Sequence, residues 1–296
     1  MLIGHYTAQA TLAQLLTSGQ FPHAMLLHGP QGIGKRTLAQ MLAHRLICGP
    51  AIIENALFAE PTSPNPLEAN QNTPQWHQLQ AASCPDFHVL EPEDDKKTIS
   101  IKQVKTLLET LARSADTART VIIDSLDALT PEAANTLLKT LEEPRPGIYF
   151  LLLAHQLSST LPTIRSRCRL LRLSPLTRAE TEQVLTHQNA PAAQIAAMAL
   201  AAQGAPGQVL GQGGKEKTEL ANQLAQNTTP SFKSAQLIPL LQAKLASHPR
   251  PTLAHIQLYQ TLTSLQQRQQ TLNLPLQMVN EAAWNLAHPH LNPQHP

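Results

Sequence analysis

Through the first 175 residues, apolar runs of strand length alternate with apolar positions spaced three and four apart. The runs are Ala24 to Leu27, Asp86 to Leu90, Arg119 to Asp124, Ile148 to Leu153 and Cys168 to Leu173. Helical spacing covers residues 6 to 18, with Ala10, Leu12, Leu15 and Leu16 inward. It returns after Lys35 with Leu38, Met41, Leu42 and Leu46, as far as about Ile47. A third helix begins at Ile99 and Ile101 and continues through Val104, Leu107, Leu108 and Leu111. A fourth carries Ala133, Leu137, Leu138 and Leu141; Thr130-Pro131-Glu132 opens it with a cap residue and a first-turn proline, and Pro144 ends it. Arg119 to Asp124 reads as a strand buried on both faces. Strands and helices in alternation predict an open parallel α/β sheet with helices on both faces.

After Ser174-Pro175 no strand pattern recurs. Thr177 to His187 and Ala192 to Gln203 read as helices, and Gly204-Ala205-Pro206-Gly207 breaks them from a third. Gly211 to Gly214 reads as a linker, and four more helices run to about His288, the last around Leu276 to Leu286. Three stretches lack periodicity: residues 49 to 80, rich in Pro and Asn, the charged run from Glu91 to Lys97, and the tail from Pro289 to Pro296. They are expected to be, respectively, a long irregular insertion, a solvated loop and a frayed end. The domain boundaries this implies are 1–173, 174–212 and 213–296.

Composition narrows the function. Only 14% of the 296 residues are charged, against roughly 25% in ordinary soluble proteins. Gln, Asn, Ser and Thr cover the surface instead, which suits a protein held in an assembly. A net charge of +2 and 3% aromatics argue against a DNA-binding module, which would need a basic surface or stacking platforms. Three scattered cysteines fit a reducing compartment. No apolar run reaches the roughly 18 residues of a membrane span, and no basic-then-apolar leader follows Met1. The expected location is cytoplasmic, with no membrane partner.

The densest chemistry lies in Leu26 to Thr37, LLHGPQGIGKRT. Gly29, Gly32 and Gly34 followed by Lys35 make a phosphate loop between a strand and a helix, where backbone N–H groups, the helix N-terminus and the lysine can cradle phosphate. The next position should carry the hydroxyl that holds magnesium, and it is Arg36. Thr37 lies about 100° further round the helix. Asp124 ends an apolar strand in a carboxylate, and Ser125 follows it. Asp127 stands two residues beyond Ser125. Glu142 and Glu143 are adjacent on a helix, so they diverge and cannot act as an acid–base pair. Arg165, Arg167, Arg169 and Arg172 form a basic cluster, read as an interface rather than a nucleic-acid surface.

Val121 to Arg169 combines Asp124, ALTPEAANTLLKTLEEPRP, a strand and Ile164-Arg165-Ser166-Arg167-Cys168. With Ile3-Gly4-His5 and Phe21-Pro22-His23-Ala24, this resembles the AAA+ subunits of sliding-clamp loaders. The resemblance covers roughly residues 3 to 210. It implies a P-loop parallel sheet, a small helical lid and an all-α C-terminal collar. It also implies that Arg167, in the Ser-Arg-Cys motif, is an arginine finger presented to a neighbouring subunit's ATP. Active members place a Glu where Ser125 stands, a lid arginine where Gly204 to Gln208 has none, and a polar γ-phosphate sensor at His155. The implied role is a stator-like subunit of the bacterial DNA polymerase III loader, without ATPase or polymerase chemistry of its own. Its implied partners are delta-type and ATP-hydrolysing gamma/tau-type subunits and, through the complex, the sliding clamp and primed DNA. The degenerate loop (Gly29, Gly32, Gly34, Lys35, Thr37, with Asp124) is left open between binding ATP or ADP without turnover and standing empty. Many members carry a four-cysteine zinc module, but Cys48, Cys84, His77 and His88 supply neither a C-x-x-C nor an H-x₃₋₅-H pair, so neither zinc nor magnesium is expected. The competing reading is an ATP-hydrolysing loader subunit or another P-loop ATPase.

Overall fold

The computed structural model describes residues 2–51, 67–94, 96–112, 118–210, 214–226, 230, 234–246 and 252–291. Contacts divide the chain into two compact units, Met1–Pro175 and Leu176–Pro296. In the first, α1 (Tyr6–Thr17) precedes β1 (Ala24–His28), α2 (Lys35–Cys48), α3 (Pro74–Gln80) and β2 (Phe87–Leu90). Then come α4 (Ile101–Leu111), β3 (Arg119–Asp124), α5 (Pro131–Glu142), β4 (Ile148–Ala154), α6 (Pro162–Arg165) and β5 (Arg169–Arg172).

The five strands form one parallel sheet in the order β2-β3-β4-β1-β5. In β1, Leu26 faces Leu152 of β4 on one side and Leu170 of β5 on the other. Alternate side chains leave opposite faces of a strand. Leu26, Val121, Ile123, Phe150 and Leu152 join the face packed by Val104 and Leu107 of α4 and Ala133, Leu137 and Leu141 of α5. Met25, Leu27, Ile122 and Leu151 are equally buried on the other face, where α2 packs with Leu38 and Leu42. The expected two-sided parallel sheet is therefore present. Each such side chain contributes about 1.5–3 kcal/mol of burial.

Local signals hold at several helix starts. Thr130 Oγ1 accepts from the Ala133 N–H with Pro131 at the first turn, as expected. Ser100 and Gln103 form a capping box, which moves the start of α4 to Ile101 and leaves Ile99 to bridge Leu129. Other expectations need correction. In α1 the buried set is Ala8, Leu12 and Leu15, while Ala10 is exposed. The stretch 49 to 80 is not irregular throughout: Thr73 caps α3, with Pro74 in its first turn. Leu67 and Ala69 are buried there, and Pro50 bridges Ala69. The remainder of that stretch, 52–66, lies outside the described residues.

The second unit is helical: α7 (Arg178–His187), α8 (Ile195–Ala202), α9 (Gly207–Leu210), α10 (Gly214–Ala225), α11 (Leu237–Ala246), α12 (Leu253–Leu272) and α13 (Leu276–Ala287). One buried cluster runs from Leu185 to Leu291 and includes Leu241, Leu262 and Trp284. Gly214, expected in a linker, is instead the buried first residue of α10. A Cβ there would meet the Val209 carbonyl oxygen at 2.1 Å, so the close approach demands glycine. Residues 211–213 and 292–296 lie outside the described residues. His288–His290 form a 3₁₀ turn and Leu291 is buried, so the start of the tail is not frayed.

Candidate functional site

In open parallel sheets, functional groups collect beyond the carboxyl ends of the strands. That is where β1 delivers the glycine loop, β2 Glu91, β3 Asp124 and β4 His155. Gly29, Gly32 and Gly34 all have positive φ, at 150°, 85° and 99°. At Gly29 a Cβ would sit 2.2 Å from the Leu173 carbonyl oxygen and 2.9 Å from Ile33 Cδ1. The loop is braced from the N-terminal segment by a His5 Nε2 bond to the Ile33 carbonyl oxygen at 2.7 Å. No sequence pattern announces that contact.

Lys35, only 4% exposed, donates from Nζ to the carbonyl oxygens of Gly29 and Pro30, both at 2.7 Å. The loop is thus closed on its own lysine. Burial pushes the Lys35 pKa down to about 8, against the opposite pull of Asp124 and Asp127. Arg36 turns the other way. Its Nη1 donates to Glu91 Oε2 at 2.6 Å and stands 3.5 Å from Asp124 Oδ2. The Glu91 bond raises the guanidinium pKa further. A divalent cation does not fit this arrangement: a fixed positive group already engages both carboxylates, and metals need oxygen ligands. Thr37 is exposed on α2, and Ser125 is buried.

Nothing in the sequence around Asp127 announces its partners. It accepts from the His155 backbone N–H at 2.7 Å and from the Ser159 hydroxyl. Burial pushes its carboxyl upward, but these bonds outweigh it and hold the pKa below the ordinary value. His155 is pushed down by burial and by the charge of Lys35, so it is neutral at pH 7. Its Nδ1 is buried and has no bonding partner among the described residues. A cavity of about 500 Å³ lies here, lined by Pro30, Gln31, Asp127, His155, Gln156 and Ser159. The site therefore holds phosphate-loop geometry with every named carboxylate engaged by the chain's own donors.

Arg167 sits elsewhere, just beyond α6. Its Nη1 donates to the Thr163 carbonyl oxygen at 2.7 Å and to Ser166 Oγ at 3.2 Å. Its Nη2 pairs with Glu142, the last residue of α5. The side chain keeps 32% exposure. The two segments that carry the family resemblance thus touch through one ion pair. Cys168, beside it, is pushed up to about 12 by burial. Arg165 and Arg172 lower the pKa of His28, after burial as the larger cause. Cys48 and Cys84 lie in a small buried cluster with Ile47 and Ala69. Among the described residues no three His, Cys, Asp or Glu side chains gather to hold a metal. Among them, too, no helix is long and apolar enough to cross a membrane.

The sequence model of a family described as DNA polymerase III, delta subunit, matches residues 4–177. A DNA polymerase III subunit delta′ from Pseudomonas aeruginosa is 38% identical over 162 residues, 54% of this chain and 45% of that protein. The Escherichia coli subunit delta′ is 32% identical over 160 residues, 53% of this chain and 44% of that protein. A Buchnera aphidicola DNA polymerase III subunit gamma is 26% identical over 188 residues, 63% of this chain and 47% of that protein. These alignments take in less than half the length of the relatives. A DNA polymerase III gamma subunit-related protein from Thermotoga maritima superposes with a TM-score of 0.51 at 14% identity, over 96% of this chain and 100% of that one. That likeness is one of fold.

Proposed function

This chain belongs to the DNA polymerase III delta-subunit family, and on that premise we propose that it is the delta-prime-type stator of a sliding-clamp loader. Its own nucleotide pocket is inactive. It lends Arg167 to the ATP held by a neighbouring gamma/tau-type subunit, and a delta-type subunit completes the ring that places the clamp on primed DNA. The first 173 residues are the degenerate nucleotide domain. The helices to about residue 212 act as its lid, and those beyond act as the collar that joins sister subunits.

The observation that carries this reading is Arg36, whose guanidinium spans Glu91 and Asp124 where a hydrolytic site needs magnesium. Phosphoryl transfer depends on positioning and charge stabilisation. Without a metal, a base beside Asp124 or a lid arginine, the pocket cannot gather that stabilisation. Arg167, by contrast, is charged, partly exposed and not consumed by the pocket. Fingers supplied from outside accelerate hydrolysis about 10³–10⁵-fold.

The test is the DNA-stimulated ATPase of a loader reconstituted with its partner subunits. Arg167→Ala should lower it by about 10³, while the isolated chain shows no magnesium-dependent turnover. Unchanged turnover in the Arg167→Ala loader, or hydrolysis by the isolated chain, overturns the reading.

A further inference from the structure

We propose that Glu142 is the positioning residue for Arg167, fixing the guanidinium plane so that its remaining donors meet a phosphate on the neighbouring subunit. This rests on the reading of Arg167 as a lent guanidinium. A guanidinium is flat and rigid, so anchoring two of its nitrogens fixes its plane. Here Nη1 is anchored by the Thr163 carbonyl and the Ser166 hydroxyl, and Nη2 by Glu142. Of five N–H donors, the two on Nη1 are hydrogen-bonded and Glu142 lies against Nη2 as an ion pair, so the edge formed by Nε and Nη2 is the one a bidentate phosphate contact would use.

The anchors divide by origin. Thr163 and Ser166 are local to α6 and travel with Arg167, whereas Glu142 reaches in from the end of α5. α5 is packed into the sheet by Ala133, Leu137 and Leu141, and α6 joins the same core through Ile164, so Glu142 ties the guanidinium to a second element of that core. Glu143, next in the chain, caps α5 and has no described bond to Arg167, so the contact selects one carboxylate of the pair.

Both partners keep contact with water, the Glu142 side chain at 47% exposure. A pair so exposed shifts an equilibrium by no more than about fivefold. That sets the size of the effect: a modest loss in the step where Arg167 acts, not a collapse. Because the neighbour's own phosphate loop holds the ATP, the loss falls on kcat and leaves KM unchanged.

The experiment measures DNA-stimulated ATPase of the complete loader containing the full chain. Glu142→Gln should lower kcat by up to about fivefold at constant KM, Glu142→Asp should recover most of that loss, and Glu143→Gln should change nothing. In an Arg167→Ala background, Glu142→Gln should add no further loss. If Arg167→Ala has its full effect but Glu142→Gln leaves kcat unchanged or raises it, the positioning role is overturned and the finger stands. A Glu142→Gln loss that persists without Arg167, or that Glu143→Gln reproduces, also overturns it. A silent Arg167→Ala overturns the finger reading and this proposal together.

Discussion

Two sets of cations, Lys35 and Arg36 in the first turn of α2 and Arg167 just beyond α6, meet different partners. Lys35 and Arg36 are engaged beside the phosphate loop, the lysine on its own loop's carbonyls and the arginine on Glu91 and Asp124. Arg167 is held by one carboxylate and two local acceptors, and it remains open to water. The residue types in the two places are nearly the same. What separates them is where their acceptors stand: Arg36 lies between two carboxylates beside the phosphate loop, whereas Arg167 meets one carboxylate and two local acceptors away from it.

The contrast can be broken from the rigid side first. Gly29→Ala, at φ 150° with a backbone oxygen 2.2 Å from the new Cβ, should cost about 3 kcal/mol or more and in the worst case prevent folding. Urea unfolding monitored by circular dichroism reads this directly; a loss below 1 kcal/mol means the loop is not built as tightly as described.

Next comes the buried lysine. Its native pKa is about 8 against an ordinary 10.5, so between those values the unfolded chain binds more protons than the native one. Stability contributed at this site therefore rises with pH across that window. The unfolding free energy of the wild type, taken relative to Lys35→Met, should climb by roughly 1 kcal/mol per pH unit between pH 8 and 10. A flat difference would mean the ammonium is better solvated than its 4% exposure suggests.

Arg36→Thr sharpens the comparison with a smaller effect on stability. Its pair with Glu91 is about half exposed and its contact with Asp124 is a long 3.5 Å, so removing them should cost less than about 1 kcal/mol. The variant also restores a hydroxyl and frees Asp124. Magnesium with ADP should raise its melting temperature, while the wild type shows no magnesium-dependent shift. Smallest of all, Arg167→Ala should change the stability of the isolated chain by no more than about 0.5 kcal/mol, whatever it does to a reconstituted loader.

How legible this molecule is from sequence depends on the range of the interaction. Arg119 to Asp124 and Pro131 to Glu142 were readable because apolar spacing and caps act within a few residues. Helix α3 was hidden because Pro and Asn dominate its surroundings, and its signal is a Thr-Pro pair at Thr73-Pro74. Gly214 looked like a linker because a glycine run gives no hint that Val209 packs against it. The phosphate loop and its faulty magnesium position were visible in eight residues. The bonds that decide the site were not. Arg36 with Glu91, Asp127 with Ser159 and Glu142 with Arg167 join segments that only the fold brings together. The run from Glu91 to Lys97 reads as a solvated loop, yet its first residue pairs with Arg36 beside the phosphate loop.

Cys168 carries one more consequence. With its thiol pushed up to about 12, almost none of it is thiolate at neutral pH, and thiolate is the species that reacts with electrophiles and peroxides. The segment bearing Arg167 is therefore chemically quiet despite its exposure: iodoacetamide or mild oxidant should leave it unmodified, with no sulfur-borne lesion beside the guanidinium.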